Sequence, residues 1–378
     1  MSIKKNTIQK NRVCVITFPP LKAGLTPLSN LIDILTSSSD EIYLITGNAG
    51  YYHFTDNKNI HLYGIFHSTG NGPVNRIKNY IFTQFKIAYL LLKIINKVDI
   101  CIFFLGGEML VLSLIPAKLF KKKTITMLSG YSIKYEKDIL SKIVTKLCTV
   151  NFNLVDKIIL YSPRLIKEWD FEKYSHKILI APRHFLNFSN FKLNVEFSQR
   201  SDFIGYVGRL SEEKGIINFI ESIPLILKQK PDLNILIIGD GDLKSNVDKY
   251  ISQNGLENNV KLVGWSSHED LPKYLNSLKL LVIPSYTEGL PNIMLEAMAC
   301  GTPVLATGVG AIPDIINDEK TGFIMENNSP ECIAKNVFRA MKHPNLEKII
   351  ENSNIFVKEN FTYKKAVERY SEILSNIQ

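Results

Sequence analysis

The sequence predicts an α/β protein built from two doubly wound domains in tandem. Short apolar, β-branched runs alternate with helical patterns along the whole chain. The runs are apolar on both faces, which is typical of parallel strands covered by helices on either side. A stretch without strand or helix periodicity, at 181–201, separates two series of such runs, and the length of 378 residues suits two domains.

Each apolar run is interpreted as a buried parallel strand, because the segments that join the runs are long enough for a crossover helix. The predicted strands are 13–18, 41–46, 60–65, 100–105, 124–128, 157–161, 177–180, 202–207, 234–238, 260–263, 280–283 and 304–306. Helices are predicted at 74–96 and 137–154, and further helices are expected to begin at Gly215, Leu243, Glu269, Pro291 and Pro330. The last stretch, 346–378, is predicted to be helical with a break at 360–362.

Composition excludes several classes of protein. With 45% hydrophobic and 21% charged residues, the chain is neither disordered nor collagen-like. The five cysteines are an odd number, lie far apart and form no C-x-x-C pair, which argues against a disulfide framework or a four-thiolate zinc site and fits a reducing compartment. The polar residues 1–12 precede only six apolar-leaning residues, too few for a signal peptide or a membrane-spanning helix.

The net charge of +9 is unevenly distributed. Residues 1–200 contain 27 Lys and Arg against 13 Asp and Glu, whereas residues 201–378 contain 18 against 23. A basic half favours an anionic partner, such as lipid head groups, nucleic acid or a phosphorylated substrate. Solvated surface lysines would give the same excess, and no nucleic-acid-binding motif is present.

The first candidate site is the run V-G-R-L-S-E-E-K-G at 207–215, which follows a predicted strand and opens a helix. Gly208 lets a ligand approach the backbone closely. Arg209 offers a planar fork suited to phosphate oxygens, Lys214 adds a point charge, and a helix N-terminus favours anions. A plain strand–turn–helix with two solvated cations is the alternative.

The second candidate site is the run P-S-Y-T-E-G-L-P-N-I-M-L-E-A-M-A-C-G-T-P-V at 284–304. Pro291 is expected to be the first residue of a helix, which places Glu288 on the preceding loop and Glu296 on the second turn. Backbone N–H groups at 289–292 would be free to bind an anion. Glu296 could accept hydrogen bonds from a vicinal diol such as a ribose, and Glu288 could accept one from a sugar hydroxyl.

Together these runs resemble the retaining glycosyltransferases of family 4, which have the GT-B fold. The resemblance covers the second half in order: G-R-L-x-x-E-K-G from Gly208, the G-D-G turn at 239–241, the strand end at 262–264, the E-x7-E element and T-G-F at 321–323. It implies two Rossmann-like domains facing a central cleft. Residues 1–190 would be the acceptor-binding domain, 191–360 the nucleotide-sugar-binding domain, and 361–378 a helix returning to the N-terminal domain.

The resemblance also implies an enzyme that transfers a sugar, with retention, from a nucleotide-sugar to a glycan or lipid-linked acceptor, most simply from a UDP-sugar. The catalytic residues would be Arg209 and Lys214, which hold the diphosphate, and Glu288, which contacts the donor sugar. The implied donor-binding positions are Gly208, Gly264, Gly289, Leu290, Pro291, Asn292 and Glu296. No cofactor and no metal are expected, because a pair of cations can stabilise the diphosphate in place of a divalent ion.

The first half departs from the family pattern. The loop after the first strand, at 19–27, has a single glycine, Gly24, and Ser129 occupies the position where the family commonly has a histidine. Gly24, Gly106 and Ser129 are the candidate positions for the acceptor side or a phosphate loop. His53 and His184 are further candidates, although a lone histidine is more often structural.

Two alternative functions remain open, and so does an association with a membrane surface. The departures at Gly24 and Ser129 would also fit a catalytically weakened nucleotide-sugar-binding or scaffold protein of a glycan-assembly complex. A nicotinamide oxidoreductase is disfavoured, because Lys244 replaces the third glycine of the dinucleotide fingerprint. The segment 74–97 and the cluster Lys121–Lys123 suit peripheral binding to the inner, anionic face of a cell membrane, whereas the helix itself is expected to be an ordinary amphipathic helix with snorkelling lysines. A cytoplasmic location follows from this interpretation.

Overall fold

A computed structural model gives the structure of the chain and describes residues 11–128, 130 and 139–377. The chain divides into two compact units. The first unit comprises the chain up to His184 together with the segment from Tyr363 onward, and the second unit comprises Phe185–Thr362.

In the first unit a parallel sheet runs through the centre, with strands β1 to β7 among the described residues. They are β1 Arg12–Thr17, β2 Glu41–Gly47, β3 Ile60–Ile65, β4 Ile100–Phe104, β5 Lys123–Met127, β6 Lys157–Leu160 and β7 Ile178–Ile180. Their order is β3-β2-β1-β4-β5-β6-β7. The helices that accompany them are α1 Leu25–Ser38, α2 Ala49–Phe54, α3 Pro73–Ile94, α4 Val111–Leu119, α5 Ile139–Leu154 and α6 Arg164–Glu168.

The second unit, which the structure describes throughout, repeats this architecture with strands in the order β10-β9-β8-β11-β12-β13. The strands are β8 Phe203–Val207, β9 Asn234–Ile238, β10 Val260–Gly264, β11 Leu280–Ile283, β12 Val304–Thr307 and β13 Phe323–Met325. The helices are α7 Ile216–Gln229, α8 Lys244–Gln253, α9 Leu271–Leu275, α10 Asn292–Ala299, α11 Ile312–Ile315, α12 Pro330–Met341 and α13 Leu346–Asn360. In both sheets the order of the first six strands is that of the doubly wound Rossmann fold, so the predicted fold class is confirmed.

Burial on both faces explains why the strands are continuous apolar runs. Val13–Ile16 in β1 and Leu280–Ile283 in β11 are buried along their whole length. Helices cover each sheet on two sides, so alternation between apolar and polar residues would place polar groups in the core.

The final helix, α14 Tyr363–Asn376, belongs to the first unit, as predicted. Its residues Ala366, Tyr370 and Leu374, one turn apart, are buried and face the unit. Helix α14 packs against α1, and the Tyr370 hydroxyl donates a hydrogen bond of 3.2 Å to the carbonyl oxygen of Ala181. This helix therefore completes a core that begins at the other end of the sequence.

Several elements differ from the prediction, among them α10, β13 and α3. Pro291 is the N-cap of α10, with extended backbone, and the helix begins at Asn292. The sequence analysis missed β13, Phe323–Met325, because three apolar residues give too short a signal. Helix α3 packs through one face, but its opposite, outward face is aromatic rather than polar. Within the described ranges, no helix combines the length and the apolar character that crossing a bilayer requires.

Two glycines with similar backbone angles test how closely the second unit is packed. Gly215 (φ +69°) lies so near Pro284 that an added Cβ would be 2.0 Å from its carbonyl oxygen, whereas a Cβ at Gly255 (φ +63°) would meet no atom within 4 Å. Both Gly→Ala substitutions should cost about 1 kcal/mol of unfolding free energy for the left-handed backbone. Gly215→Ala should cost about 3 kcal/mol more, because backbone must move. Chemical denaturation measures both, and equal losses would contradict the close approach.

Candidate functional site

The two candidate motifs lie at the point where the strand order of the second sheet reverses. Strands β8 and β11 are neighbours there, and connections from their carboxyl ends lead away to opposite sides, which leaves a crevice. The first motif follows β8 and the second follows β11. The two motifs, which are far apart in the sequence, therefore begin at neighbouring strand ends.

Backbone contacts hold the turn after β8 against the loop after β11. Gly215 lies so close to the carbonyl oxygen of Pro284 that no side chain would fit between them. The N–H group of Tyr286 donates a hydrogen bond of 2.9 Å to the carbonyl oxygen of Glu213. Lys214, which lies between Glu213 and Gly215, is thereby brought near Glu288, two residues after Tyr286.

An ion pair joins Lys214 to Glu288. The Lys214 Nζ donates to Glu288 Oε1 at 2.7 Å, and the Ser285 hydroxyl donates to the same oxygen at 2.7 Å. The Glu288 side chain is only 8% exposed. A buried carboxylate is costly unless it is paired and hydrogen-bonded, so the ammonium and the hydroxyl offset this cost and fix the geometry of Glu288.

A pocket of about 230 Å³ opens beside this ion pair. Five predicted site residues line it: Gly208, Lys214, Glu288, Pro291 and Asn292. Its other lining residues are Tyr206, Val207, Val282, Ile283, Ser285 and Ile293. The pocket therefore combines an apolar floor of strand residues with a cation, a carboxylate and the start of a helix.

Helix α10 directs its N-terminus toward this pocket, because Asn292 and Ile293 are both lining residues and the first residues of the helix. The N–H groups of a first helical turn have no preceding carbonyl to accept them, and the helix dipole adds partial positive charge. Together with Lys214 they form an environment suited to a negatively charged ligand.

The structure describes the whole of the second unit, and the other predicted donor residues there do not line this pocket. They are Arg209, Gly264, Gly289, Leu290 and Glu296. The Arg209 side chain is 61% exposed, and its Nη1 lies 3.3 Å from Glu213 Oε1. Arg209 is therefore held by a long surface ion pair, which constrains a side chain weakly.

A partner that the sequence analysis missed, His268, contacts Glu296. The His268 Nε2 and Glu296 Oε1 are 2.8 Å apart, and the Glu296 side chain is only 6% exposed. The hydrogen bond to Glu296, reinforced by charge attraction, raises the pKa of His268 above its ordinary value of 6.5. Because 28 residues separate the two, no spacing pattern could have paired them.

The G-D-G turn packs against the first motif rather than standing apart from it. A Cβ at Gly239 would lie 1.8 Å from the carbonyl oxygen of Gly208. Asp240 Oδ1 accepts the N–H of Gly241 at 2.8 Å, and the Gly239 N–H donates to the carbonyl oxygen of Gly264 at 2.8 Å. Across the described residues, no group of three or more His, Cys, Asp or Glu side chains could hold a metal ion.

In the first unit, two of the predicted positions lie together at the corresponding reversal point, between β1 and β4. A Cβ at Gly24 would lie 3.5 Å from the Leu105 side chain, and Gly106 follows directly in a left-handed conformation. The third predicted position, Ser129, lies outside the described residues.

Neither candidate histidine lines the pocket of the second unit. His53 is hydrogen-bonded to Ser29 at 2.9 Å on the surface of the first unit. His184 is buried, with its ring edge-on to Tyr161 at 4.8 Å between ring centroids. Both are structural contacts of the first unit.

Comparison with known proteins identifies the second half of the chain. Residues 189–355 match the family model described as glycosyl transferases group 1. This match covers most of the second unit. Two curated relatives match part of the chain. An uncharacterized glycosyltransferase of Methanocaldococcus jannaschii is 31% identical over 43% of this chain and 44% of its own length. The capsular polysaccharide biosynthesis glycosyltransferase CapM of Staphylococcus aureus is 33% identical over 39% and 38%. The matches thus span less than half the length of either relative.

The likeness of fold extends beyond residues 189–355. The crystal structure of Anabaena HepE in complex with UDP superposes with a TM-score of 0.75 over 96% of this chain and 99% of that chain, at 17% sequence identity. The fold is GT-B, as the sequence predicted.

The raised pKa of His268 gives the second unit a pH-dependent contribution to stability. A group whose pKa is higher in the folded state stabilises that state below its unfolded pKa, and loses this effect as the pH rises through the folded pKa. His268→Gln should therefore lower the unfolding free energy more at about pH 5.5 than at about pH 8.5, by about 0.5 kcal/mol because the imidazole is half-exposed. Denaturation at both pH values measures this difference. In a Glu296→Gln background most of the pH dependence of the His268→Gln effect should be lost, leaving only the weaker attraction to Glu269. Its undiminished persistence would assign the effect to another group.

Proposed function

We propose that this protein is a glycosyltransferase that moves a sugar from a nucleotide-sugar, most simply a UDP-sugar, to a glycan or lipid-linked acceptor. One observation carries the proposal: Lys214, Glu288 and the N-terminus of α10 meet in a single pocket of a group 1 glycosyltransferase domain. This combination supplies positive charge for a diphosphate and a fixed hydrogen-bond acceptor for a sugar.

The diphosphate would bind to Lys214 and to the first N–H groups of α10, with Arg209 folding over it from the surface. Breaking the glycosidic bond leaves negative charge on the departing nucleoside diphosphate. Groups placed where that charge develops stabilise the transition state more than the ground state. In this role Lys214 and Arg209 replace a divalent metal, and no cofactor takes part.

The two buried glutamates would recognise hydroxyl groups. At Glu288, Lys214 and Ser285 both bond to Oε1, so the carboxylate keeps further lone pairs for a hydroxyl of the donor sugar. Glu296, oriented by His268, would accept hydrogen bonds from the ribose. Because both carboxylates are held by partners, their positions would already be fixed before the donor binds.

The base and the remaining donor contacts would come from backbone. Gly264 ends β10 with its carbonyl bound to Gly239, and a side chain there would meet no atom closer than Lys244 Nζ at 4.0 Å. This open backbone is suited to contact with a nucleotide base. The uridine preference is supported by the HepE structure, which contains UDP. Gly289 and Leu290 would complete the anion-binding loop.

The acceptor would bind to the first unit. We assign residues 1–190 to acceptor binding, 191–360 to donor binding and 361–378 to the returning helix, with Gly24, Gly106 and Ser129 at the acceptor side. The class of acceptor is supported by the name of CapM, a glycosyltransferase of capsular polysaccharide biosynthesis.

Removing either member of the ion pair should abolish most of the transfer. In the full chain, Lys214→Ala and Glu288→Gln should each lower turnover of a UDP-sugar by about 100-fold or more, because each removes a group that contacts the donor. Lys230→Ala is the matched control, since Lys230 forms an exposed ion pair with Asp202 in the same unit, and it should keep wild-type turnover. Thermal unfolding of each variant separates lost chemistry from lost structure. Wild-type turnover in a folded Lys214→Ala protein would contradict the proposal, and donor binding without turnover in the wild type would favour the scaffold alternative.

Retention and metal independence can be tested in one reaction. Transfer from an α-linked UDP-sugar in excess EDTA should proceed at the rate seen without chelator, and early product should carry the α configuration in its proton NMR spectrum. A β product would contradict retention. Loss of turnover that Mg²⁺ or Mn²⁺ restores would show that the cations do not replace a metal.

A further inference from the structure

The outward face of α3 is an exposed apolar surface. A helix at the surface of a soluble domain ordinarily presents polar residues to water, yet on α3 Phe82, Phe85 and Tyr89 are 61%, 59% and 58% exposed. Other large apolar side chains of the same helix are also exposed, namely Val74, Ile77, Ile81 and Leu92. Apolar residues thus occupy both faces of this helix.

The orientation of α3 is fixed by specific hydrogen bonds. The Tyr80 hydroxyl donates to the carbonyl oxygen of Met109 at 2.7 Å, and Gln84 Oε1 accepts the N–H of Leu112 at 3.0 Å. Polar Thr83 and Gln84 are therefore buried while aromatic rings face outward. Rotating the helix to hide the rings would break these bonds and expose Ile87 and Leu91.

The neighbouring helix enlarges the exposed surface. Helix α4 packs against α3. Ile115 and Leu119 on α4 are 46% and 74% exposed, and Phe120, directly after it, is 46% exposed. We call the exposed apolar residues of α3 and of 115–120 the outer apolar surface. Contiguous exposed apolar surfaces mark sites of interaction with a protein or a membrane.

The charge around the outer apolar surface is mostly positive. The segment 73–123 contains nine Lys and Arg but only two acidic residues, Asp99 and Glu108. Asp99 is paired with Arg12 at 2.8 Å, and α3 itself contains no Asp or Glu. Lys118 is paired with Asp156 at 2.7 Å, and the charge left at this surface by the other cations is positive.

Two of these cations lie directly beside the exposed rings. Lys86 Nζ is 4.8 Å from the centre of the Phe82 ring, and Lys93 Nζ is 4.6 Å from that of Tyr89. Each lysine is four residues after its aromatic partner, so both project from the same side of the helix. Aromatic rings that enter an interface would carry the ammonium groups to its polar boundary.

We propose that the outer apolar surface docks on a lipid bilayer that contains anionic head groups, with the rings entering the head-group region and the lysines contacting phosphates. Apolar helices with lysine on their flanks bind in this way. A second copy of the chain is a poorer occupant, because a symmetric contact through this surface would bring like charges together. This inference is independent of the proposed sugar transfer.

Sedimentation of the full chain with vesicles tests the proposal. Vesicles of phosphatidylcholine with roughly a third phosphatidylglycerol should bind the protein at least ~10-fold more strongly than pure phosphatidylcholine, and high salt should weaken this binding. The double variant Phe82→Ser/Phe85→Ser and the double variant Lys86→Gln/Lys93→Gln should each reduce binding by ~10-fold or more.

Matched controls come from exposed residues of the second unit. Leu225→Ser/Ile355→Ser removes two exposed apolar side chains, and Lys335→Gln/Lys348→Gln removes two exposed lysines. Both should bind vesicles as the wild type does. Thermal unfolding should show that all four double variants are folded, since none of the substituted side chains is buried.

Three outcomes would overturn the proposal. The first is that wild-type protein does not sediment with the anionic vesicles. The second is that the α3 variants bind as well as their controls. The third is a dimer in analytical ultracentrifugation that the Phe82→Ser/Phe85→Ser variant dissociates while vesicle binding is unaffected, which would assign the surface to a second copy.

Discussion

The site in the second unit depends on one close backbone contact, between Gly215 and the carbonyl of Pro284. This contact seats the turn after β8 against the loop after β11, and the hydrogen bond from Tyr286 to Glu213 secures it. Only in that arrangement can the ammonium of Lys214 reach the carboxylate of Glu288. A buried carboxylate without its cation is strongly destabilising, so the fold and the ion pair each require the other.

The electrostatic design of the site separates fixed groups from a mobile one. Glu288 and Glu296 are buried, and each is held by a basic partner at hydrogen-bond distance. Arg209 is mostly exposed and loosely held. Preorganised groups cost little when charge develops in a reaction, whereas an exposed arginine must lose side-chain freedom to contribute. The site therefore has a rigid part that would select the donor and a flexible part that would close over it.

Much of this could be predicted from sequence, and the limits are physical. Buried parallel strands can be recognised in the sequence as apolar runs. Lys214 and Glu288 belong to recognisable motifs that follow such strands. The contact between His268 and Glu296 could not be predicted, because it joins an irregular loop to a helix through the tertiary fold. For α3, apolar residues recur on every side, so periodicity alone cannot say which face packs inward. The hydrogen bond that Tyr80 donates and the one that Gln84 accepts make that choice.

The place of α14 has a consequence for the order in which the chain folds during its synthesis. This helix covers α1 in the first unit, where Asn11 donates to the carbonyl oxygen of Leu374 at 3.2 Å, yet it is translated after the entire second unit. All elements of the second unit are therefore synthesised while the first unit still lacks helix α14. Until Tyr370 arrives, apolar side chains of the nascent amino-terminal portion are left uncovered, and this interval is when protection by a chaperone would matter most.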